Sequence, residues 1–238
     1  MPDLIMTGTD FRPSCAVLLA SGKGSRTGFS RPKQFVKIAG KELYRHSLDV
    51  LLNSPLIDEV ILVVPRGFAG KIKVKNSKLK ITTGGKRRQD SLLKGISRLG
   101  KNFNTILAHD SARPFITDAV VKSVLSAAGA YGAAIAAEQI TDTVKEVNGG
   151  FVKSTLDRTK LFQAATPQAF KTGHLEKIKK LLAGKQVFTD EAAVMEKLGM
   201  PVKIISVGRC NMKVTEKEDF TLAENLLEKN AKRLNRRR

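Results

Sequence analysis

Four short, unbroken apolar runs constrain this chain more than any other feature: 15–20 (CAVLLA), 60–64 (VILVV), 105–108 (TILA) and 133–137 (AAIAA). A strand with one face in water alternates polar and apolar side chains. A strand covered by helices on both faces reads as a continuous apolar run. Between the runs lie segments of helical spacing. Leu43, Leu48, Leu51 and Leu52 predict a helix over 43–52, closed by Pro55. Leu92, Leu93, Ile96 and Leu99 predict another over 91–99, and Thr117 can cap a third over 118–130. Strand and helix alternating at this pace predict an α/β fold: a Rossmann-like, doubly wound, mostly parallel sheet with right-handed crossovers. The lysine-rich stretch 71–80 suits an exposed edge strand or a short helix. Residues 142–165 read as short strands about Gly149-Gly150, a projecting β-arm. Helices near 172–183 and 190–198, a strand at 202–207 and a helix at 217–230 follow. The expected organisation is an N-terminal extension (1–14), one domain (15–231) and a basic tail (232–238).

Composition narrows the function. With 42 Lys+Arg against 22 Asp+Glu, the 238 residues carry a net +20, and such an excess invites a polyanionic partner. Its location matters more than its size. Residues 22–45 net +6, residues 71–101 net +10, and residues 228–238 net +5, so the rest is close to neutral. Two of these three segments adjoin glycine-rich turns. Segment 71–101 has no aromatic side chain on which bases could stack, which disfavours a single-strand nucleic-acid binder. No apolar run approaches the roughly 20 residues of a membrane-spanning helix. No basic-then-apolar leader opens the chain, and Cys15 and Cys210 lack metal-ligand spacing, so a reduced cytoplasmic setting is expected.

In a doubly wound sheet, ligands bind beyond the carboxyl ends of the strands. After the first run, glycines at 22, 24 and 28 allow backbone N–H groups to turn around phosphate oxygens. Lys23, Arg26 and Lys33 add fixed positive charge. The spacing is neither G-x-G-x-x-G, since the third glycine falls one residue late, nor a Walker loop, and this argues against a nicotinamide-dependent oxidoreductase. After the third run comes HDSARP (109–114), where Asp110 can hold Mg²⁺ through one carboxylate or merely cap a helix or pair with Arg113. The turn GGKRRQDS (84–91) has the form of an anion nest opening onto a helix, or of a solvated basic turn. Three sites suited to a polyanion in one α/β domain point to a nucleoside triphosphate rather than to a long nucleic acid.

The motifs LLASGKGSR, PKQF, GGKRRQDSL, HDSARPF, DTVK, TLDRTKLFQAATPQAF, TDEA and NMKVTEKEDFTLAE run in order from residue 18 to residue 224. With them the chain resembles the 2-C-methyl-D-erythritol 4-phosphate cytidylyltransferases, within the wider group of sugar-nucleotide pyrophosphorylases. The resemblance implies attack of a polyol phosphate on the α-phosphorus of CTP, with release of diphosphate, in the non-mevalonate route to isoprenoids. It implies Arg26, Lys33 and Lys213 as catalytic cations on the phosphates. Ala20, Ser21, Gly22, Gly24, Gly84, Gly85, Ser91 and Asp110 would bind CTP, with Asp110 also on Mg²⁺ or another divalent cation. Arg113, Thr143, Arg158 and Thr189 would face the acceptor. It also implies a homodimer in which the arm carries Arg158 towards the neighbouring subunit's site.

Three positions depart from the family's commonest pattern. Ser21 and Ser111 stand where alanine is usual, and Cys210 stands where relatives carry an aspartate or serine, which leaves Asp110 as the main metal candidate. Ribitol 5-phosphate is the alternative acceptor, and a basic nucleic-acid-binding module is the alternative class. The lysines of 71–80 and the terminal arginines match no motif and read as solvated charge.

Overall fold

The computed structural model describes residues 11–22, 24, 27–100, 103–208 and 211–235. In chain order the elements are β1 (Ser14–Leu19), β2 (Lys37–Ile38), β3 (Lys41–Glu42), α1 (Leu43–Asn53), β4 (Glu59–Val64), β5 (Leu79–Thr83), α2 (Arg88–Ile96), β6 (Thr105–Asp110), α3 (Asp118–Tyr131) and β7 (Ala133–Gln139). They continue with β8 (Lys145–Asn148), β9 (Phe151–Thr155), β10 (Phe162–Lys171), α4 (Leu175–Ala183), α5 (Glu191–Lys197), β11 (Val202–Ser206) and α6 (Lys217–Asn235). Seven strands form one sheet in the order β11-β7-β10-β6-β1-β4-β5. All share one direction except β10, which runs antiparallel to both of its neighbours. The expected mostly parallel α/β sheet is therefore what the chain forms.

The apolar runs behave as strands buried on two faces. From β1, Ala16 and Leu18 enter a core with Leu48 and Leu51 of α1 and with Val121 and Val124 of α3. Cys15, Val17 and Leu19 enter the opposite core with α2, α4 and α5. A strand alternates its side chains between faces, so a run with no polar residue is stable only when both faces are covered. A third, smaller cluster seats Phe220 and Ala223 of α6 against Ile38, Leu43 and Val214.

Several boundaries differ from expectation, each for a packing reason. The extension ends earlier than residue 14, because Phe11 is buried and fills the space left by Gly129 of α3. Helix α2 begins at Arg88 rather than 91: Asp90 accepts from the Arg87 backbone N–H at 2.9 Å and so caps the helix one turn ahead of its apolar face. Most of the lysine comb is neither strand nor helix, and edge strand β5 starts only at Leu79. The arm is shorter than 142–165: β8 and β9 pair as a separate hairpin, but from Phe162 the chain is a strand of the main sheet. There its small residues Ala165 and Ala169 are buried. Helix α6 runs to Asn235, past the expected start of the tail at 232. Among the described residues no helix is long and apolar enough to cross a membrane.

Candidate active site

Because six strands point the same way, their carboxyl ends share one edge of the sheet, and the loops beyond them meet there. The turn after β1 is fixed by two devices. Gly24 has φ +68° and lies against Lys33, so close that an added Cβ would come within 3.0 Å of the Lys33 backbone nitrogen. Gln34, buried, donates to the carbonyls of Ala20 and Gly22 and draws the turn onto the sheet. Lys33 reaches across and donates from Nζ to the Val214 carbonyl at 2.6 Å, which ties this turn to the segment carrying Lys213. Lys23 and Arg26 lie outside the described residues, as does Cys210.

The turn after β5 meets the first one directly. A Cβ on Gly84 would come within 2.4 Å of Ser21 Cβ, so only glycine lets the two turns touch. The Ser91 hydroxyl accepts from the Gly85 N–H at 3.0 Å and from the Ser21 hydroxyl at 2.9 Å, and donates to the Arg87 carbonyl at 3.2 Å. Those three bonds use its one donor and two lone pairs, so a base that reached Ser91 would exchange for one of them. Ser21 thus has a structural use as the bridge between the turns.

Asp110, the last residue of β6, lies at the centre and is buried. Its Oδ1 accepts from Arg88 Nε at 3.1 Å and Nη2 at 3.0 Å, and its Oδ2 accepts from Lys213 Nζ at 2.7 Å. Burial alone would raise the carboxyl, but the Arg88 and Lys213 charges hold it well below the ordinary carboxylate range. Arg88 feels the same contest: burial would lower it, and Glu191 with Asp110 hold it above its ordinary value. Beneath them His109 is buried, and burial pushes its imidazole down to about 4. The neutral ring fits its partners. The Thr166 hydroxyl donates to Nδ1 at 3.0 Å while accepting from the Asp110 N–H at 3.0 Å, and Nε2 donates to the Arg113 carbonyl at 3.2 Å.

Beside Asp110 opens a cavity of about 330 Å³ lined by Arg113, Glu138, Gln163, Asn211, Lys213 and Thr215 among others. Arg113 Nη1 donates to the Asn211 carbonyl at 2.7 Å, and Asn211 Nδ2 donates to the Thr166 carbonyl at 2.8 Å. Two buried polar atoms there, Arg113 Nε and Asn211 Oδ1, have no hydrogen-bond partner among the described residues. Thr143 and Arg158 sit apart from this cluster. Both are exposed on the arm, where Arg158 Nη1 donates to the Thr141 carbonyl. Thr189 is exposed in the loop before α5.

Among the described residues no three or more His, Cys, Asp or Glu side chains gather as a metal cage. The donor set still suits Mg²⁺, which keeps most of its shell from water and phosphate and needs one or two carboxylates. Asp110 is ionised; its Oδ1 is filled by the two Arg88 bonds, and its Oδ2, which accepts only from Lys213, retains a lone pair.

The family model for 2-C-methyl-D-erythritol 4-phosphate cytidylyltransferase (IspD) matches residues 14–229, which includes every one of these loops. The chain belongs to this family. It is 37% identical over 228 residues to the 2-C-methyl-D-erythritol 4-phosphate cytidylyltransferase of Syntrophus aciditrophicus, covering 92% of this chain and 97% of that one. It is also 37% identical, over 216 residues, to the bifunctional IspD/IspF enzyme of Desulfotalea psychrophila, where 89% of this chain spans only 56% of the relative. The solved structure of 4-diphosphocytidyl-2C-methyl-D-erythritol synthase from Anaerococcus prevotii superposes with a TM-score of 0.80 at 26% identity, over 90% of this chain and 96% of that one.

Within the family frame, two charged residues of the site escaped the sequence reading. Arg88 stands second of two adjacent arginines after a lysine, and Glu191 is 103 residues further on. Neither type nor spacing distinguishes Arg88 from Arg87, whose guanidinium turns away to Asp90 and to the Gly184 carbonyl.

Proposed function

We propose that this chain joins CTP to 2-C-methyl-D-erythritol 4-phosphate, giving the CDP-alcohol and diphosphate. The observation that carries this reading is the convergence of the glycine turn, the Gly84–Ser91 turn, Asp110 and Lys213 at one edge of the sheet in a chain of this family. In the transfer, a phosphate oxygen of the acceptor bonds to the α-phosphorus of CTP. The bond from that phosphorus to the oxygen bridging the β-phosphate breaks, and diphosphate leaves with the electron pair. Nothing becomes covalently attached to the protein, so its work is to position the reactants and to neutralise developing charge. Arg26, Lys33 and Lys213 are assigned that neutralising role. Lys33 is already anchored by Val214, and Lys213 already stands beside Asp110. Ala20, Ser21, Gly22, Gly24, Gly84, Gly85 and Ser91 are assigned to the nucleotide. The contact between Gly84 and Ser21 leaves little room beside the backbone, which suits a pyrimidine better than a purine.

Asp110 would hold Mg²⁺, and when bound the ion would neutralise triphosphate oxygens. The acceptor is assigned to the cavity beside Arg113, where the unpartnered Arg113 Nε and Asn211 Oδ1 offer a donor and an acceptor to a polyol phosphate. Thr143, Arg158 and Thr189 complete the acceptor assignment. Because the first two lie on the arm, we infer a homodimer in which the arm reaches the second copy's site. The arm exposes Val147, Phe151 and Val152, with Phe151 81% accessible, more apolar surface than a two-stranded hairpin gains by facing water. A cytoplasmic setting suits Cys15, a free buried thiol. Release of diphosphate from CTP with Mg²⁺, measured against a panel of polyol phosphates, tests the reading. Turnover is expected with 2-C-methyl-D-erythritol 4-phosphate, and faster turnover with ribitol 5-phosphate would overturn it.

A further inference from the structure

The cytidylyl-transfer reading uses Asp110 and assigns nothing to Arg88 or Glu191. Arg88, the first residue of α2, reaches both carboxylates at once. Its Nη1 and Nη2 donate to Oε1 and Oε2 of Glu191 at 2.6 and 3.1 Å, while Nε and Nη2 converge on Oδ1 of Asp110 at 3.1 and 3.0 Å. Only a planar, five-donor guanidinium can hold two carboxylates at fixed angles; an ammonium is a single point of charge. Glu191 is held in turn from behind. Its backbone N–H and that of Ala192 donate to Gln168 Oε1, both at 3.0 Å, and Gln168 Nε2 donates to the Ala165 carbonyl and to Asp190 Oδ2. Asp190 also caps α5 by accepting from the Ala193 N–H at 3.0 Å. Gln168 belongs to β10 and is paired in register with Ala108 of β6, two residues before Asp110. The contacts therefore close a ring from β6 through β10, α5 and Arg88 back to β6.

The other oxygen of Asp110 is held differently. Its partner Lys213 is 39% exposed on a flexible stem, whereas the Glu191 side chain is 3% exposed. One oxygen thus has a braced cation and the other an exchangeable one. A buried ion pair adds little net stability over an apolar replacement, so stability alone is a poor reason for a braced arginine between two carboxylates. Geometry is a better one.

We propose that Arg88, anchored by Glu191, is a positioning residue of the transfer reaction: its fork fixes the Asp110 carboxylate so that Oδ2 stays turned to the triphosphate and to Lys213. The proposal rests on the cytidylyl-transfer reading. It also gives a physical link between three parts of the site, since Arg88 opens the helix of the nucleotide turn, Asp110 ends β6, and Glu191 follows the acceptor-side Thr189 by two residues.

The test uses Glu191→Gln and Arg88→Lys in the full chain, with Asp110→Asn alone and combined with Glu191→Gln, scored by diphosphate release at saturating Mg²⁺ and by thermal melting. Misplacement of a group by about 1 Å costs up to roughly 100-fold. Both single variants are accordingly expected to melt as folded proteins with kcat down about 10- to 100-fold and KM for CTP within about threefold. In the Asp110→Asn background, Glu191→Gln is expected to cost nothing further, because residues acting through one group are not additive. A structural role would lower the melting temperature and leave kcat per folded molecule alone. Glu191→Gln and Arg88→Lys proteins that fold and turn over within twofold of the unaltered chain would overturn the positioning role by itself. An unaltered chain that released no diphosphate with any acceptor would overturn that role and the cytidylyl-transfer reading together.

Discussion

The Asp110 cluster and the β8–β9 arm each contain an ion pair of the same length, 2.6 Å, from Arg88 to Glu191 in one and from Lys153 to Glu146 in the other. The two pairs do different physical jobs. Around Asp110 both carboxylates are buried, each is paired with a cation, and Gln168 Oε1 accepts from the backbone N–H groups of Glu191 and Ala192, which fixes the backbone that carries the anchoring side chain. On the arm the partners are 61% and 43% exposed, and the large side chains beside them face outward. Distance therefore says little about what an ion pair contributes; burial and bracing say more. The comparison also separates a region whose charges are paired and buried within one chain from a region whose large apolar side chains, Val147, Phe151 and Val152, are exposed.

Four changes would break or sharpen this contrast. The largest effect is expected from Lys33→Ala, which removes a cation from the braced end of the sheet. A fall in kcat of about 10²- to 10³-fold, the usual cost of losing one such stabilising donor, should appear in the diphosphate-release assay with little change in melting temperature. Near-normal turnover would remove Lys33 from the phosphates. Next is Phe151→Asp on the arm. If the arm is half an interface, sedimentation should show a dimer for the unaltered chain and a monomer for the variant, with activity lost alongside. A variant that stayed dimeric would put the interface elsewhere.

Arg158→Ala probes the arm's chemistry rather than its packing. Loss of a bidentate phosphate contact should raise KM for the acceptor by about 10- to 100-fold while KM for CTP holds, since charge-assisted contacts contribute roughly 1.5–3 kcal/mol. An unchanged acceptor KM would count against it. Smallest of all is Lys153→Ala, expected to move neither the melting temperature nor kcat detectably, although its ion pair is as short as the one that Arg88 makes with Glu191. A marked effect there would mean that the arm's surface pairs are buried in the assembly.

Much of the fold was legible in the residues. Continuous apolar runs cannot face water on either side, so the doubly covered sheet followed from 60–64 and 105–108 without any contact being known. The arm's extent was not legible, because the small residues of β10 look like loop or strand until β6 and β7 are placed on either side of them. The site divides the same way. Glycines at 24 and 84 were readable because each sits in a turn whose conformation or close approach excludes a side chain. Arg88 was not readable, because it is chemically identical to the Arg87 beside it.

What the sequence determined by itself is what depends on neighbours along the chain: which segments must be buried, where turns need glycine, and which side chains carry charge. Tertiary structure decided which charges meet. Asp110, Arg88, Glu191 and Lys213 are separated by 22 to 103 residues in their pairings, and only the closure of the sheet brings them within hydrogen-bond range. Two adjacent arginines then part ways, since the first turn of α2 points one at the capping Asp90 and the other inward at Asp110.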